Sequence, residues 1–566
     1  MIQKYIKNYL LFLSPVFIIL TMIGIYQNYS PVPYMDMWDG YLDFYVKTTN
    51  GDWHAWFAQH NEHRTIFSNL LFYIDIHFFG GKNIFLLISN FALMTSTAWL
   101  VTVIIKDIFN TSDNGTSRHI LWISKLFAII MIFSWIQEEN IIWGFQSQFF
   151  AAYFFPLLSF YLLVKSVQNN NTWLYIVALL VGIISAGTMA NGVMVLPILL
   201  LLSLLLKNNF LKSILIFIAS LGVFYLYFSN YHTPGGHGSL SDALFNHSKE
   251  FFRYIFAYLG GIFYYIFGER SHSIPQFFGL IMIFSSLFFT YVTLRQKNSN
   301  RYYFVVLGFL LYYGGTAFGT AGGRAIFGLE QAFASRYMTP SLIAWSLLIA
   351  VLFHYFKNNK QIVNILLGVI VVVSIALTVF QLRVFKDHSD ILLDRKVAIV
   401  ALEMGIRDES YIKIVFPFVD WIIAMAQEPI HRNLSIFDHD DIKDVSLKMG
   451  QTIHTLPTNN LIGHIDEIAS IQEDPNALKF RGWIFDQKLQ QIPNKLFVVN
   501  QNNKIIGYVL VGYSRNDVGE SIHKKVLKSG YMGYCFKADI TDNIYLVDTI
   551  NNKKLALNIK GKYEVK

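Results

Sequence analysis

The stretch "NIFLLISNFALMTSTAWLVTVII", residues 83–105, runs for 23 residues without a charged side chain. "QIVNILLGVIVVVSIALTVF", residues 361–380, does so for 20. About 20 consecutive apolar residues suffice for a helix to cross the hydrocarbon core of a bilayer. Runs of this kind recur along the chain, so lipid is the solvent that most of it must fold in. Composition agrees: 54% of the 566 residues are hydrophobic and 14% are charged, against about 25% charged in a soluble domain. A soluble fold with so little charge could not cover its own surface. The expected class is a polytopic α-helical membrane protein of about eleven spans, at 10–27, 83–105, 120–136, 141–165, 172–189, 193–206, 211–229, 276–294, 302–320, 337–356 and 361–382.

The first run, "LLFLSPVFIILTMIGIY", is long and has no small-residue exit, so it reads as a span and not as a cleaved leader. Cys535 is the only cysteine, which excludes an internal disulfide and a cysteine-based metal site. The net charge of +8 is no nucleic-acid signal, because its lysines and arginines lie mainly between spans, where they set topology. The segment 251–268 decides that topology. Read as an interfacial or re-entrant helix, it leaves the basic loops 295–301 and 354–360 inside with Lys4, Lys7, Lys106, Arg118, Lys165, Lys207 and Lys212. The loops 28–82, 137–140, 190–192, 230–275 and 321–336 then face outward together with the C-terminal part. These five loops are expected to build one external site.

Beyond 382 the composition changes. The expected domains are a transmembrane part (1–382), an extracytoplasmic helical region (383–464) and a β-rich accessory domain (465–566), the last read as a small antiparallel sandwich. "NQNNK", between two strand-like runs, is its hairpin signal.

The chemistry-bearing side chains concentrate in two external loops. The first interleaves Asp36, Asp39 and Glu62 with aromatic residues, then packs His60, Asn61, Glu62, His63 and Arg64 into "HNEHR". On a helix, the i, i+3, i+4 spacing of His60, His63 and Arg64 would put all three on one face, suited to a sugar hydroxyl or a phosphate. A solvated loop with an aromatic belt is the plainer alternative. A divalent metal on His60 and His63 with Glu62 or Asp36 stays open, although two histidines without cysteine are a sparse ligand set. The second loop, "GGRAIFGLEQAFASRYMTP" (322–340), holds Arg324, Glu330, Arg336 and Tyr337. Two external arginines suit a guanidinium clamp on phosphate; snorkelling at span ends is the alternative. "QEENIIWGFQSQ", "GTMANG" and His232 with His237 are minor candidates.

"DMWD" after the first span, then "HNEHR" and the late "GLEQAFASRY", resemble bacterial membrane glycosyltransferases of the GT-C superfamily, most of all those that modify O-antigen, lipopolysaccharide and other surface polysaccharides. "FRGWIFD…GYSRNDV…SGYMGYCF" resembles the small β-domain appended to some of them. The resemblance implies a multi-pass protein of the bacterial cytoplasmic membrane. It would move a sugar, on the outer face, from a polyprenyl-phosphate donor to a glycan or lipid-linked acceptor. It also implies that Asp36 is the base, with Asp39 as rival, and that Arg336 binds the phosphate with Arg324 and His63 or Arg64 as helpers. Where such enzymes carry Asp-Glu, this chain reads Asp36-Met37. Two other classes stay open: a flippase or transporter of lipid-linked sugars, and a polymerase or ligase of whole glycans. A transporter would carry charges within its spans near the midplane, whereas here the acids, histidines and arginines lie in the loops.

Overall fold

A computed structural model describes the chain except for residues 110–114, 234, 237, 296–299, 454–455, 458–459, 494, 523, 538–539, 541–542, 549–550, 552 and 559–566; His237 is thus outside the described residues. Two compact units interleave along the sequence. The first comprises Met1–Gln27, His54–Leu71 and Leu86–Lys386; the second comprises Asn28–Trp53, Phe72–Phe85 and Asp387–Lys566. The boundaries expected at 382 and 464 cut the chain linearly, and the units are not contiguous in it.

In the first unit, nine helices among the described residues are long and apolar enough to cross a membrane: Ile2–Gln27, Ile84–Phe109, Arg118–Ile142, Gly144–Gln168, Phe210–Phe228, Ser273–Arg295, Tyr303–Phe327, Ser335–Tyr355 and Lys360–Phe385. The spans expected at 172–189 and 193–206 are helices Thr172–Ser185 and Val195–Leu205, of 14 and 11 residues. At 1.5 Å per residue they reach about 21 and 16 Å, short of the ~30 Å hydrocarbon core. A turn at 186–194 ends both, and a Cβ on Gly192 there would lie 1.9 Å from the Ser185 carbonyl oxygen.

The segment 251–268 is broken into helices Ser248–Leu259 and Ile262–Ile266. Twelve residues make about 18 Å, too short to span. Its crossing with Ser273–Arg295 depends on two glycines. A Cβ on Gly260 would lie 2.0 Å from the Pro275 oxygen, and one on Gly279 1.9 Å from the Phe256 oxygen. The helix bundle is further tied by Gln381, fully buried. Its Oε1 accepts from the Trp135 backbone N–H at 2.8 Å, and its Nε2 donates to Thr21 Oγ1 at 3.1 Å. A buried amide satisfied from two other segments fixes their register, because leaving it unpaired would cost ~1–3 kcal/mol.

Among the described residues the second unit holds eight strands: β1 (Leu456–Pro457), β2 (Leu461–Ser470), β3 (Ala477–Asp486), β4 (Lys495–Val499), β5 (Ile505–Tyr513), β6 (Gly530–Phe536), β7 (Asn543–Asp548) and β8 (Lys553–Asn558). Their order is β1-β8-β7-β4-β5-β6-β3-β2, antiparallel except for β1 beside β8. The expected sandwich is therefore a single sheet. It curls until Gly463 of β2 lies against Leu555 of β8, and its inner face packs Ile465, Phe480, Val498, Val509, Leu546 and Leu557 into one core. Curling buries the apolar alternation that a second sheet would otherwise have covered. Strand β5 is buried on both faces along Ile505–Leu510, because helix Ser389–Glu403 packs outside it. Polar bonds hold this helix and the next, Glu409–Val415, whose N-cap is Asp408: Tyr513 Oη donates to Asp394 at 2.7 Å, and Lys479 Nζ lies 2.9 Å from Asp408.

The two N-terminal pieces of this unit, 28–53 and 72–85, are tied to each other by a buried carboxylate, and to the later residues through Ser435. Asp75, on helix Ile66–Phe79, is fully buried and accepts from the Tyr41 phenol at 2.6 Å. Ser435 Oγ donates to the Gly81 carbonyl at 2.7 Å. Burial pushes the Asp75 carboxyl up to about 6, with the Tyr41 hydrogen bond pulling the other way.

Candidate functional site

The site grows from the turn at 60–63. His60 N–H donates to the His63 carbonyl at 2.8 Å, and His63 N–H donates back at 2.9 Å. Asn61, between them, takes a left-handed φ of 50°, a conformation that asparagine tolerates better than most side chains. "HNEHR" is thus a tight hairpin turn and not a helix, and the shared helical face of His60, His63 and Arg64 does not exist.

Each side chain then goes its own way. The His60 ring sits edge-on to Phe145, 5.6 Å between centroids, and Asn61 is exposed. His63 Nδ1 accepts from the Ala190 backbone N–H at 3.1 Å, which puts the ring proton on Nε2, 3.6 Å from Glu62 Oε1. With Nδ1 engaged, only Nε2 of His63 could serve a metal. Arg64 donates to three carbonyls, those of Tyr227 (2.9 Å), Phe57 (2.5 Å) and Ser229 (2.6 Å). A guanidinium so committed to main chain braces the loops; the expected helper role at phosphate does not suit it.

Arg324 and Arg336 are held differently. Arg324, at the end of helix Tyr303–Arg324, donates through Nη2 to Glu62 Oε1 at 2.8 Å. Arg336 donates through Nη1 to Glu139 Oε1 at 2.7 Å. Both side chains keep about a quarter of their surface exposed, 22% and 27%. Each uses one nitrogen of its fork on the carboxylate. Burial alone would push the Glu62 carboxyl up. The charges of His63, once protonated in acid, and of Arg324 outweigh it and hold the group at about 2. A general base works best with a pKa near the operating pH, so Glu62 suits the role of orienting Arg324 better than that of accepting a proton.

The loop that carries Arg336 is stitched to the turn at 136–140. Asn140 Nδ2 donates to the Arg336 carbonyl and to Thr339 Oγ1, both at 2.8 Å, and Ser335 Oγ donates to the Ile136 carbonyl at 2.8 Å. Gly238 N–H donates to the Gly323 carbonyl at 3.0 Å, and Gln59 accepts from the His232 N–H at 3.0 Å. Segments 57–65, 136–140, 190–192, 227–232, 238–240 and 322–340 therefore converge at helix ends within the first unit.

Tyr337 is buried, with its ring 5.3 Å from that of Tyr258 and the Arg336 guanidinium 5.3 Å over its face. One turn before Tyr258 on the same helix face, Tyr254 is 1% exposed. Its hydroxyl has no partner among the described residues. Glu330 stays at the surface, 82% exposed and 3.8 Å from His272 Nε2. Asp36 and Asp39 belong to the second unit. Asp36 sits half-buried in the short turn Met35–Met37. Asp39 is exposed in the π-helical turn Trp38–Asp43, where its Oδ1 accepts from the Gly40 N–H at 2.9 Å.

Two participants escape a reading of the loops, Glu139 as the partner of Arg336 and Tyr254 beside the arginine loop, as does, in the second unit and outside this site, the buried Asp75. The last had a signal, a lone acid inside the apolar run "LLFYIDIHFF". No protein-family model matches the chain, and no curated protein matches it either.

Proposed function

We propose that this protein transfers a sugar from a polyprenyl-phosphate-linked donor to a glycan or lipid-linked acceptor, at the outer face of a bacterial cytoplasmic membrane. The observation that carries the reading is the pair Arg324 and Arg336. Both lie at the ends of apolar helices, each is oriented by a carboxylate, Arg336 by Tyr337 as well, and each side chain keeps about a quarter of its surface open to an anion, 22% and 27%. Arginine forks match phosphate oxygens in geometry and charge, and a helix end near the lipid boundary is where a lipid-linked phosphate resides.

In the proposed step the acceptor hydroxyl oxygen forms a bond to the sugar anomeric carbon. The bond from that carbon to the phosphate oxygen breaks, and the hydroxyl proton passes to a carboxylate. The leaving phosphate takes the electron pair, and Arg336 with Arg324 stabilises its growing charge. The carboxylate is assigned to Asp36 on the resemblance of "DMWD" alone, with Asp39 as rival. Glu62 and Glu139 position the arginines. The curled sheet is assigned an accessory role.

The test compares surface glycans by mass spectrometry in cells with the gene, without it, and with Asp36→Asn or Arg336→Lys at matched protein level. Loss of one sugar residue from a glycan in the gene-less cells, unrestored by either variant, is expected; general-base loss costs about 10²–10⁴-fold in rate. Intact glycan structures that fail only to reach the surface would overturn the reading in favour of a transporter.

A further inference from the structure

Helix Val419–His431 of the second unit has one face accounted for. Val419, Ile422, Ala426 and Pro429 are buried, at the spacing that turns one helical stripe inward. Its first turn also presents apolar surface outward. Trp421 is 64% and Phe418 57% exposed, and the two rings lie together, 5.0 Å between centroids. Pro417 and Ala424 beside them are exposed as well. Nothing in the core of the unit requires a tryptophan here, since the stripe that packs inward is complete without it.

The acid in that turn is already neutralised. Asp420 accepts from Arg407 Nη1 at 2.7 Å, and Arg407 is bonded in turn to Glu409 at 2.8 Å. The aromatic pair is therefore flanked by a paired carboxylate, not by one that must be stripped of water when the pair is covered.

Two considerations choose the occupant. A stable protein partner would need about 20–30 residues a side, and an aromatic pair with its two neighbours is far below that. A bilayer surface needs no such area. Tryptophan and other aromatic rings partition into the headgroup region singly or in pairs. The surface is also permanently at hand, because the second unit is joined to the membrane-length helices by direct peptide links at 27/28 and 386/387. A tethered contact adds its small energy at a high effective concentration.

We infer that Phe418 and Trp421 form an aromatic wedge that inserts into the lipid headgroup region and anchors the second unit to the membrane surface. The inference rests on the membrane character of the first unit and not on the sugar-transfer reading.

The single native cysteine makes the test clean, because Cys535 is buried and 2% exposed. Full-length Trp421→Cys and, separately, Phe418→Cys are labelled with a small fluorophore and reconstituted in nanodiscs. Asn502→Cys, at an exposed turn between β4 and β5, serves as the reference. Labels at 418 and 421 are expected to be quenched several-fold more than the reference by brominated lipids, and to be shielded from aqueous iodide. Iodide access equal to that at 502 would overturn the wedge. So would shielding from both quenchers, which would mean that another molecule, protein or saccharide, covers the pair.

Discussion

Asp75→Asn isolates the cost of one buried charge. The carboxyl is fully buried, with its pKa raised from 3.8 to about 6. The raised value means that the folded protein prefers the protonated acid. Asp75 thus contributes stability that is fully present below pH 3.8 and is lost as pH rises through 6. Two pKa units correspond to about 3 kcal/mol, and complete burial means that solvent screens little of it. Asparagine has nearly the shape of the neutral acid and can still accept from the Tyr41 phenol, but has no proton to lose. The variant is expected to match the native protein near pH 4 and to exceed it by up to about 3 kcal/mol at pH 7.5. Tyr41→Phe, which removes the bond that pulls the pKa down, should move the transition to higher pH. Denaturant unfolding of the reconstituted proteins from pH 4 to 7.5, followed by tryptophan fluorescence, measures the difference. A native-to-variant gap that stays constant over that range would refute the argument.

Glu62→Gln should destabilise the protein by roughly 2–3 kcal/mol at neutral pH, because Arg324 keeps its charge and loses the carboxylate. The same depressed pKa, about 2, makes this contribution present above pH 4.5 and lost as pH falls through 2; denaturant titration at pH 7 reads the loss. Gly260→Ala and Gly279→Ala, which drive a methyl into a facing carbonyl, should lower the monodisperse yield on size exclusion, whereas Gly222→Ala, with nothing within 4 Å of the added Cβ, should leave it unchanged. Arg64→Lys should lower thermal stability, since one ammonium cannot serve three carbonyls; if Arg64 only braces loops, sugar transfer per folded molecule should stay within about threefold. A much larger loss would return Arg64 to the donor site.

The long apolar helices were legible because hydrophobicity and length suffice to mark them. The two short helices were not, since Ala186–Met189 extends the apolar run that the structure folds into a turn. The spacing of His60, His63 and Arg64 fits a helix as well as it fits a two-residue hairpin. Only the left-handed Asn61 separates the two, and asparagine hints at that without requiring it. Arg324 and Arg336 were legible as a pair, while their partners were not. Glu62 lies 262 positions from Arg324, and Glu139 lies 197 from Arg336, distances over which sequence spacing carries no information. The strands β3, β4, β5, β6 and β8 were legible as β-rich runs between turn residues, whereas β2 and β7 lie outside those runs. Whether their apolar face meets a second sheet or its own far edge depends on curl, which the alternation does not encode.

The interleaving of the units has a consequence for synthesis. Segments 28–53 and 72–85 emerge early, yet Ser435 and the rest of the second unit lie beyond Lys386. About 300 residues must be made in between, which at 5–20 residues per second takes about 15–60 s. Throughout that interval Tyr41 and Asp75 can find each other, but the surface meant for the later residues stays uncovered. Nascent chains arrested before residue 387 should accordingly be the forms most readily captured by chaperones or cut by proteases.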